Sequence, residues 1–370
     1  MRSRKPRSRK SWISHASINI PFNVPWKRND PAVTLDLRLD LALTPGGLTL
    51  PEGKIAVFGP REGHYLEPLP KERVVVVSTQ FPDHAYFQRQ GFDCVLRADE
   101  IYAASVVVLP RAKALARDWI AQAHAATNGP VIIDGQKEEG IESILRECRK
   151  RTEVSGPISK AHGKLFWFTG GAFDDWIAPP ADMPDGFTTA PGTFSADAVD
   201  AASALLAQSL PTSLGAHVID LGAGWGYLSA KALEHPGVTQ VDLVEADHAA
   251  LECARINVTD PRARFHWADA TAWTPETRAD AVIMNPPFHI ARKANPELGR
   301  AFIRAAAGCL KTKGTLWMVA NRHLPYEPLL GELFTQHEEI AGTGSFKVIR
   351  AAVPIRAKTP TRQPRRSRAR

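Results

Sequence analysis

Two hydrogen-bond acceptors stand side by side in the run Asn285-Pro286-Pro287-Phe288. The side-chain oxygen of Asn285 and the carbonyl of Pro286 can each take one N–H of an amino group. This pulls a nitrogen whose lone pair is delocalised into a ring or carbonyl toward tetrahedral geometry. The lone pair is then free to displace a leaving group, as at a sulfonium methyl. The two prolines hold the acceptors in place, since proline fixes its own φ and restrains the residue before it. Phe288 offers a face for an unpaired base to stack on, worth ~1–3 kcal/mol. Placement supplies most of such catalysis, so neither a metal nor a strong base is required. Asn285, Pro286, Pro287 and Phe288 are the candidate catalytic residues. Phe288 and His289 are candidate substrate contacts, although His289 reads also as a capping or loop histidine.

A second constellation lies upstream. Asp220-Leu221-Gly222-Ala223-Gly224-Trp225-Gly226 ends an apolar run and opens a helical one. Glycines there let backbone approach a ligand at the open end of a sheet. The turn alone does not discriminate, because nicotinamide-binding proteins share it. Its spacing, G-x-G-x-G, departs from the dinucleotide G-x-G-x-x-G, and in methyltransferases an acid at the Asp220 position faces the methionine end of the cofactor. Glu245 ends the next strand-like run and can accept both ribose hydroxyls. Asp269, after the third, either accepts from an adenine amino group or caps a loop or helix. Together with Asn285, these residues point to S-adenosylmethionine. Trp225 either shapes the cofactor pocket or packs on the following helix, and His323 and Tyr326 either line the crevice rim or pack in a core or loop.

Alternating strands and helices over residues 33–353 must position these groups, which predicts a doubly wound α/β architecture. In the second half the order is strand HVIDL, helix from Tyr227 to Glu234, strand VDLVEA, helix His248–Ile256, strands RFHWADA and ADAVIM, helix Glu297–Leu310, then strands TLWMVAN and SFKVIRAAV. The first half repeats it in worn form. IAVFGP stands for VIDLGAG, VVVVST for VDLVEA, SVVVLP for AVIMNPP, and KLFWFTGG for SFKVIRAA, with a helix from Ala112 to Ala126. The first copy lacks both the glycine turn and the Asn-Pro-Pro. The expected organisation is a basic tail and linker over 1–30, a degenerate domain over 31–178, a catalytic domain over 179–356 and a basic tail over 357–370. The boundary falls near the Pro- and Asp-rich stretch at 177–187.

The net charge of +7 sits in the ends. Residues 1–10 carry six Lys or Arg and residues 356–370 carry seven, without acids; removing those thirteen leaves the rest of the chain at −6. Such arms, rich in Ser, Pro and Arg, read as disordered and suit phosphate backbones. No apolar run approaches the ~20 residues of a membrane span. The basic N-terminus leads into no apolar segment, so it does not read as a secretory signal. The four cysteines are far apart, without metal-site spacing or a disulfide framework, which suits the cytoplasm.

These residues resemble the bacterial 16S ribosomal RNA guanine-N(2)-methyltransferase family and its 23S-specific relatives. The resemblance covers roughly residues 30–355. It is closest in PGTFS (191–195), DLGAGWG (220–226), NPPFH (285–289), ANRHLPY (320–326) and GSFKVIRA (344–351). It implies two tandem Rossmann-like class I methyltransferase domains, the N-terminal one degenerate. Phe194 and Ser195 would lie near S-adenosylmethionine, joining Asp220, Gly222, Gly224, Gly226, Glu245, Asp269 and Asn285. Lys347 would lie close to the active site. The implied reaction is methyl transfer to the 2-amino group of a guanine in 16S rRNA. The partner would be ribosomal RNA or the small ribosomal subunit, and the protein would act as a monomer without metal or membrane. Alternatives are a 23S guanine, an adenine amino group or a protein glutamine as substrate, or a non-catalytic ribosome assembly factor. Intact Asp220, Glu245 and Asn285 argue against the last.

Overall fold

The computed structural model describes residues 35–287, 289–290, 293–294 and 296–356. The expected tails over 1–30 and 357–370, and Phe288, lie outside these.

The first half builds one sheet from β1 (Ile55–Phe58), β2 (Val74–Val77), β3 (Asp93–Val95), β4 (Ala104–Val108), β5 (Val131–Gln136), β6 (Ser155–Lys160) and β7 (Gly163–Phe168). Its order is β3-β2-β1-β4-β5-β7-β6, with β7 antiparallel to both neighbours. A small hairpin, β8 (Ala181–Asp182) with β9 (Thr188–Thr189), follows. The second half builds β10 (His217–Leu221), β11 (Gln240–Glu245), β12 (Ala263–Trp267) and β13 (Ala279–Met284). Next come the hairpin β14 (His289–Ile290) with β15 (Lys293–Ala294), and then β16 (Leu310–Asn321), β17 (Phe334–Gly342) and β18 (Phe346–Pro354). Its main sheet runs β12-β11-β10-β13-β16-β18-β17, the same order strand for strand. The central strands are parallel and buried on both faces, which is why they read as unbroken apolar runs.

Helices cover both faces: α1 (Leu35–Ala42), α2 (Phe81–Arg89), α3 (Lys113–Ala125) and α4 (Ile141–Cys148) in the first half; α5 (Ala201–Ser209), α6 (Tyr227–Leu233), α7 (His248–Asn257), α8 (Pro296–Cys309) and α9 (Glu327–Leu333) in the second. The helix expected over Glu297–Leu310 starts one residue earlier and stops at Cys309, since Leu310 already enters β16. Strands β3, β6 and β17 escape the sequence reading. They lie at sheet edges, and β17 is exposed along nearly its whole length, so no apolar run marks it. No helix among the described residues is long and apolar enough to cross a membrane.

The duplication is visible in detail, and so is the wear. In the first copy Gly59 follows β1 as Gly222 follows β10. A Cβ on Gly59 would stand 2.1 Å from Trp119 of α3; one on Gly222 would stand 3.2 Å from Phe302 of α8. Where the second copy has Gly224, the first has Arg61, whose guanidinium donates to the Leu109 carbonyl (2.8 Å) and to Glu139 (2.7 Å). Leu109-Pro110 occupies the place of Asn285-Pro286. Arg61 and Leu109 thus stand where the second copy lines its cavity with Gly224 and Asn285. The two halves meet at a corner where the turn after β2 lies against the turn after β11. Phe81 N–H donates to Ala246 O (2.8 Å) and His248 N–H to Thr79 O (2.9 Å).

Candidate active site

Strands β10, β11 and β13 end at one rim of the second sheet and deliver three turns to it. The first is the glycine turn. Gly224 (φ +56) has open space where a Cβ would point. Gly226 (φ +92) begins α6 so close to α7 that a Cβ would stand 2.9 Å from Val258. The second turn carries Glu245, whose Oε2 accepts from Gly224 N–H and Oε1 from Asp247 N–H, both at 2.8 Å. Burial raises the Glu245 pKa, and these two amides oppose the rise. The third turn is Asn285-Pro286-Pro287, directly after the buried β13.

A cavity of about 500 Å³ opens among them, a size that suits a small ligand. Gly222, Gly224, Glu245, Asp269, Asn285, Pro286 and Pro287 line it, and Phe194 forms part of its edge. Asp269 does cap a turn, its Oδ1 accepting from Thr271 N–H (2.8 Å) and Oγ (2.7 Å), while still lining the cavity. Asp220 is fully buried at the end of β10. Its Oδ2 accepts from Ser229 Oγ (2.7 Å), and among the described residues its Oδ1 has no partner. Burial pushes its pKa up to about 7, against the Ser229 bond, and the neighbouring Glu245 charge adds to the rise. A buried carboxylate oxygen without a donor is costly unless a cation or donor arrives.

Trp225 contributes through its polar handle. Its indole N–H donates to Phe194 O (2.8 Å), pinning the loop that carries Phe194 over the cavity. Its ring packs with Phe187 and Tyr227. Asn257 of α7 completes the brace, donating to Trp225 O and Thr188 O and accepting from Thr188 N–H. Trp225 thus both lines the cavity and packs against Tyr227 at the start of α6.

Other expected residues lie elsewhere. Ser195 (φ +49) follows Phe194 without lining the cavity. Gly226 sits behind the cavity wall. Lys347 is not brought to the cavity: it is buried on β18, and its ammonium donates to Glu327 at the start of α9 (2.5 Å). Tyr326 is fully buried in the core beside Gly299, and His323 is exposed. His289 opens β14, and nothing about its side chain is described.

Several lining residues were not anticipated, four of which bear on the site. Asp200 and Ser203 belong to the start of α5, and Gln80 and Pro82 come from the first half. Asp200 did carry a signal, an acid capping an apolar helical run, and it does cap α5 by accepting from Ser203 N–H (2.8 Å). Gln80 and Pro82 carry none, because only the docking of the two halves brings them to the rim.

These features fit S-adenosylmethionine. Asp220 Oδ1 awaits a donor, Glu245 presents a carboxylate at the end of the second strand, and Gly224 leaves room for ligand atoms. Residues 185–350 match the family model described as methyltransferase small domain. Ribosomal RNA small subunit methyltransferase C of Salmonella heidelberg is 34% identical over 236 residues, covering 62% of this chain and 68% of that protein. The protein of the same name from Salmonella choleraesuis is 35% identical over 240 residues, with the same shares. Among solved structures, a T. thermophilus 16S rRNA N2 methyltransferase in complex with AdoMet and guanosine superposes with TM-score 0.72 at 25% identity, covering 87% of this chain and 92% of that one. The cavity, the duplicated sheets and these relatives converge: the chain belongs to the ribosomal RNA small subunit methyltransferase C family.

Proposed function

We propose that this protein is an S-adenosylmethionine-dependent methyltransferase acting on the exocyclic 2-amino group of a guanine in 16S ribosomal RNA. The observation that carries the reading is a cavity with a cofactor-type rim, Gly224 and Glu245, on one side and the amine acceptors of Asn285-Pro286 on the other. The relatives' names and the guanosine in the T. thermophilus complex supply the substrate.

When bound, S-adenosylmethionine supplies a methyl group on a positively charged sulfur. Glu245 is positioned to accept from ribose hydroxyls, and its two backbone donors keep its carboxylate from swinging away. Asp220 balances a cationic amine, and ionises more readily with one nearby. Phe194 and Asp269 bound the same pocket. Asn285 Oδ1 and the Pro286 carbonyl take the two N–H groups of the guanine amine, which makes its lone pair available. Pro287 keeps that turn rigid. Phe288, with His289, stacks or contacts the target base. Orientation is the main source of rate.

The degenerate domain, over 31–178, supports the catalytic one over 179–356 and walls part of its cavity. The tails add electrostatic affinity for RNA. The protein works as a monomer in the cytoplasm, where ribosomal RNA is its substrate.

The test is transfer of labelled methyl to 16S rRNA and to assembled small subunits, followed by nuclease digestion and mass mapping. One N2-methylguanine is expected. Asn285→Ala should abolish transfer while cofactor affinity stays within a few-fold. Label on an adenine, on 23S rRNA or on protein would overturn the substrate. Near-normal transfer by Asn285→Ala would overturn the role of the Asn-Pro-Pro turn.

A further inference from the structure

An asparagine amide can face a substrate with either end, and only its oxygen activates an amine. The Asn285 Nδ2 lies 2.8 Å from Asp200 Oδ2 and 2.8 Å from Ser203 Oγ. An ionised carboxylate accepts and never donates, so the atom facing Asp200 must be the amide nitrogen. The amide has two hydrogens, and these two acceptors take both. Among the described residues no donor reaches Oδ1, which is left as the group's one polar atom for the cavity. Asp200 Oδ2 also accepts from Ser203 N–H at 2.8 Å. One carboxylate oxygen therefore caps α5 and orients Asn285, and Asp200, Ser203 and Asn285 all line the same cavity.

We infer that Asp200 is a positioning residue for methyl transfer: together with Ser203 it locks Asn285 with its oxygen toward the substrate amine. This rests on the reading of Asn285 above. Without the lock a rotated amide would present N–H donors to an amine that needs acceptors, which repels the reactive orientation. The lock also holds the side chain still, so less ordering remains to be done when RNA binds.

Capping and locking are separable by substitution. D200S keeps a good helix cap, but its shorter side chain falls short of Asn285. D200N keeps an acceptor at the right reach. Single-turnover methyl transfer, cofactor affinity and thermal midpoint are measured for both, alone and combined with N285A. D200S is expected to lower the transfer rate about tenfold or more, with the midpoint and the cofactor affinity near wild type. D200N is expected to recover most of that loss. S203A, which removes the second acceptor, should lower the rate a few-fold. In the N285A background any residual transfer should be the same with and without D200S, because the group it orients is gone. A wild-type rate in D200S, or a D200N rate no better than that of D200S, would overturn the lock. An active N285A would instead overturn the role of Asn285, so the two failures are distinguishable.

Discussion

Replacing Trp267, at the end of β12, should weaken cofactor binding although the residue does not line the cavity. Its indole N–H is shared between Thr79 O (3.0 Å) in the first half and Ala246 O (2.8 Å) in the second. Each of those carbonyls also accepts a backbone N–H across the same corner, from His248 and Phe81 respectively. Trp267→Phe therefore orphans neither acceptor, and the loss is the net worth of one hydrogen bond, ~0.5–1.5 kcal/mol. The ring meets Phe81, His84 and His248 edge-on at centroid distances of 5.2, 5.0 and 5.5 Å. Each such contact contributes ~0.5–1.5 kcal/mol. Trp267→Ala loses these as well, for a total of roughly 3 kcal/mol, the lower end for a large aromatic that is only half-buried. Gln80 and Pro82 flank Phe81 and line the cavity, so loosening this corner loosens the wall. At about 1.4 kcal/mol per tenfold, these losses bound the weakening of cofactor binding at about two- to tenfold for the Phe variant and about a hundredfold for the Ala variant. The Ala variant should bind at least about tenfold more weakly than wild type. Calorimetric titration with S-adenosylmethionine, beside a thermal melt, measures both effects. A Trp267→Ala protein with a lowered melting point but wild-type cofactor affinity would refute the reasoning. The corner would then join the halves without shaping the site.

Further outcomes follow from particular groups. Titration of the full chain should give one cofactor per molecule, and Gly224→Leu should abolish all binding, because the first copy has Arg61 and Leu109 in place of Gly224 and Asn285; residual saturable binding would place a second site there. The Asp220 pKa is raised from 3.8 to about 7 by burial, so the fold favours its neutral form. That contribution is fully present below about pH 4, declines as pH rises toward 7 and then levels off. Asp220→Asn should flatten that part of the cofactor-free protein's melting-point profile, and an unchanged slope would assign it to other groups. Removing residues 1–10 and 357–370 should weaken binding to all RNAs alike. It should also flatten the salt dependence, by ~0.7 in log–log slope per lost phosphate contact on a single strand. The methylated nucleotide should not change; a changed nucleotide would make the tails recognition elements.

Much of the site was legible in sequence because its parts are local. The glycine turn, Glu245 at the end of the next strand and Asn285-Pro286-Pro287 each sit at a strand end, and a doubly wound sheet gathers its strand ends along one rim. The duplication was legible for a similar reason, since strands buried on both faces leave unbroken apolar runs in both halves. Edge strand β17 left no such trace because water covers most of it. What only the tertiary structure decided are contacts between segments distant in the chain. Asp200 reaches Asn285 across 85 positions, and Trp225 reaches Phe194 across 31. Thr79 meets Trp267 across 188. Lys347, placed on β18 by its pairing with β16, meets Glu327 at the start of α9 and does not line the cavity. Periodicity and turn chemistry report what each segment does alone. Which carboxylate faces which amide depends on strand order, register and the docking of two sheets, and no local pattern carries those.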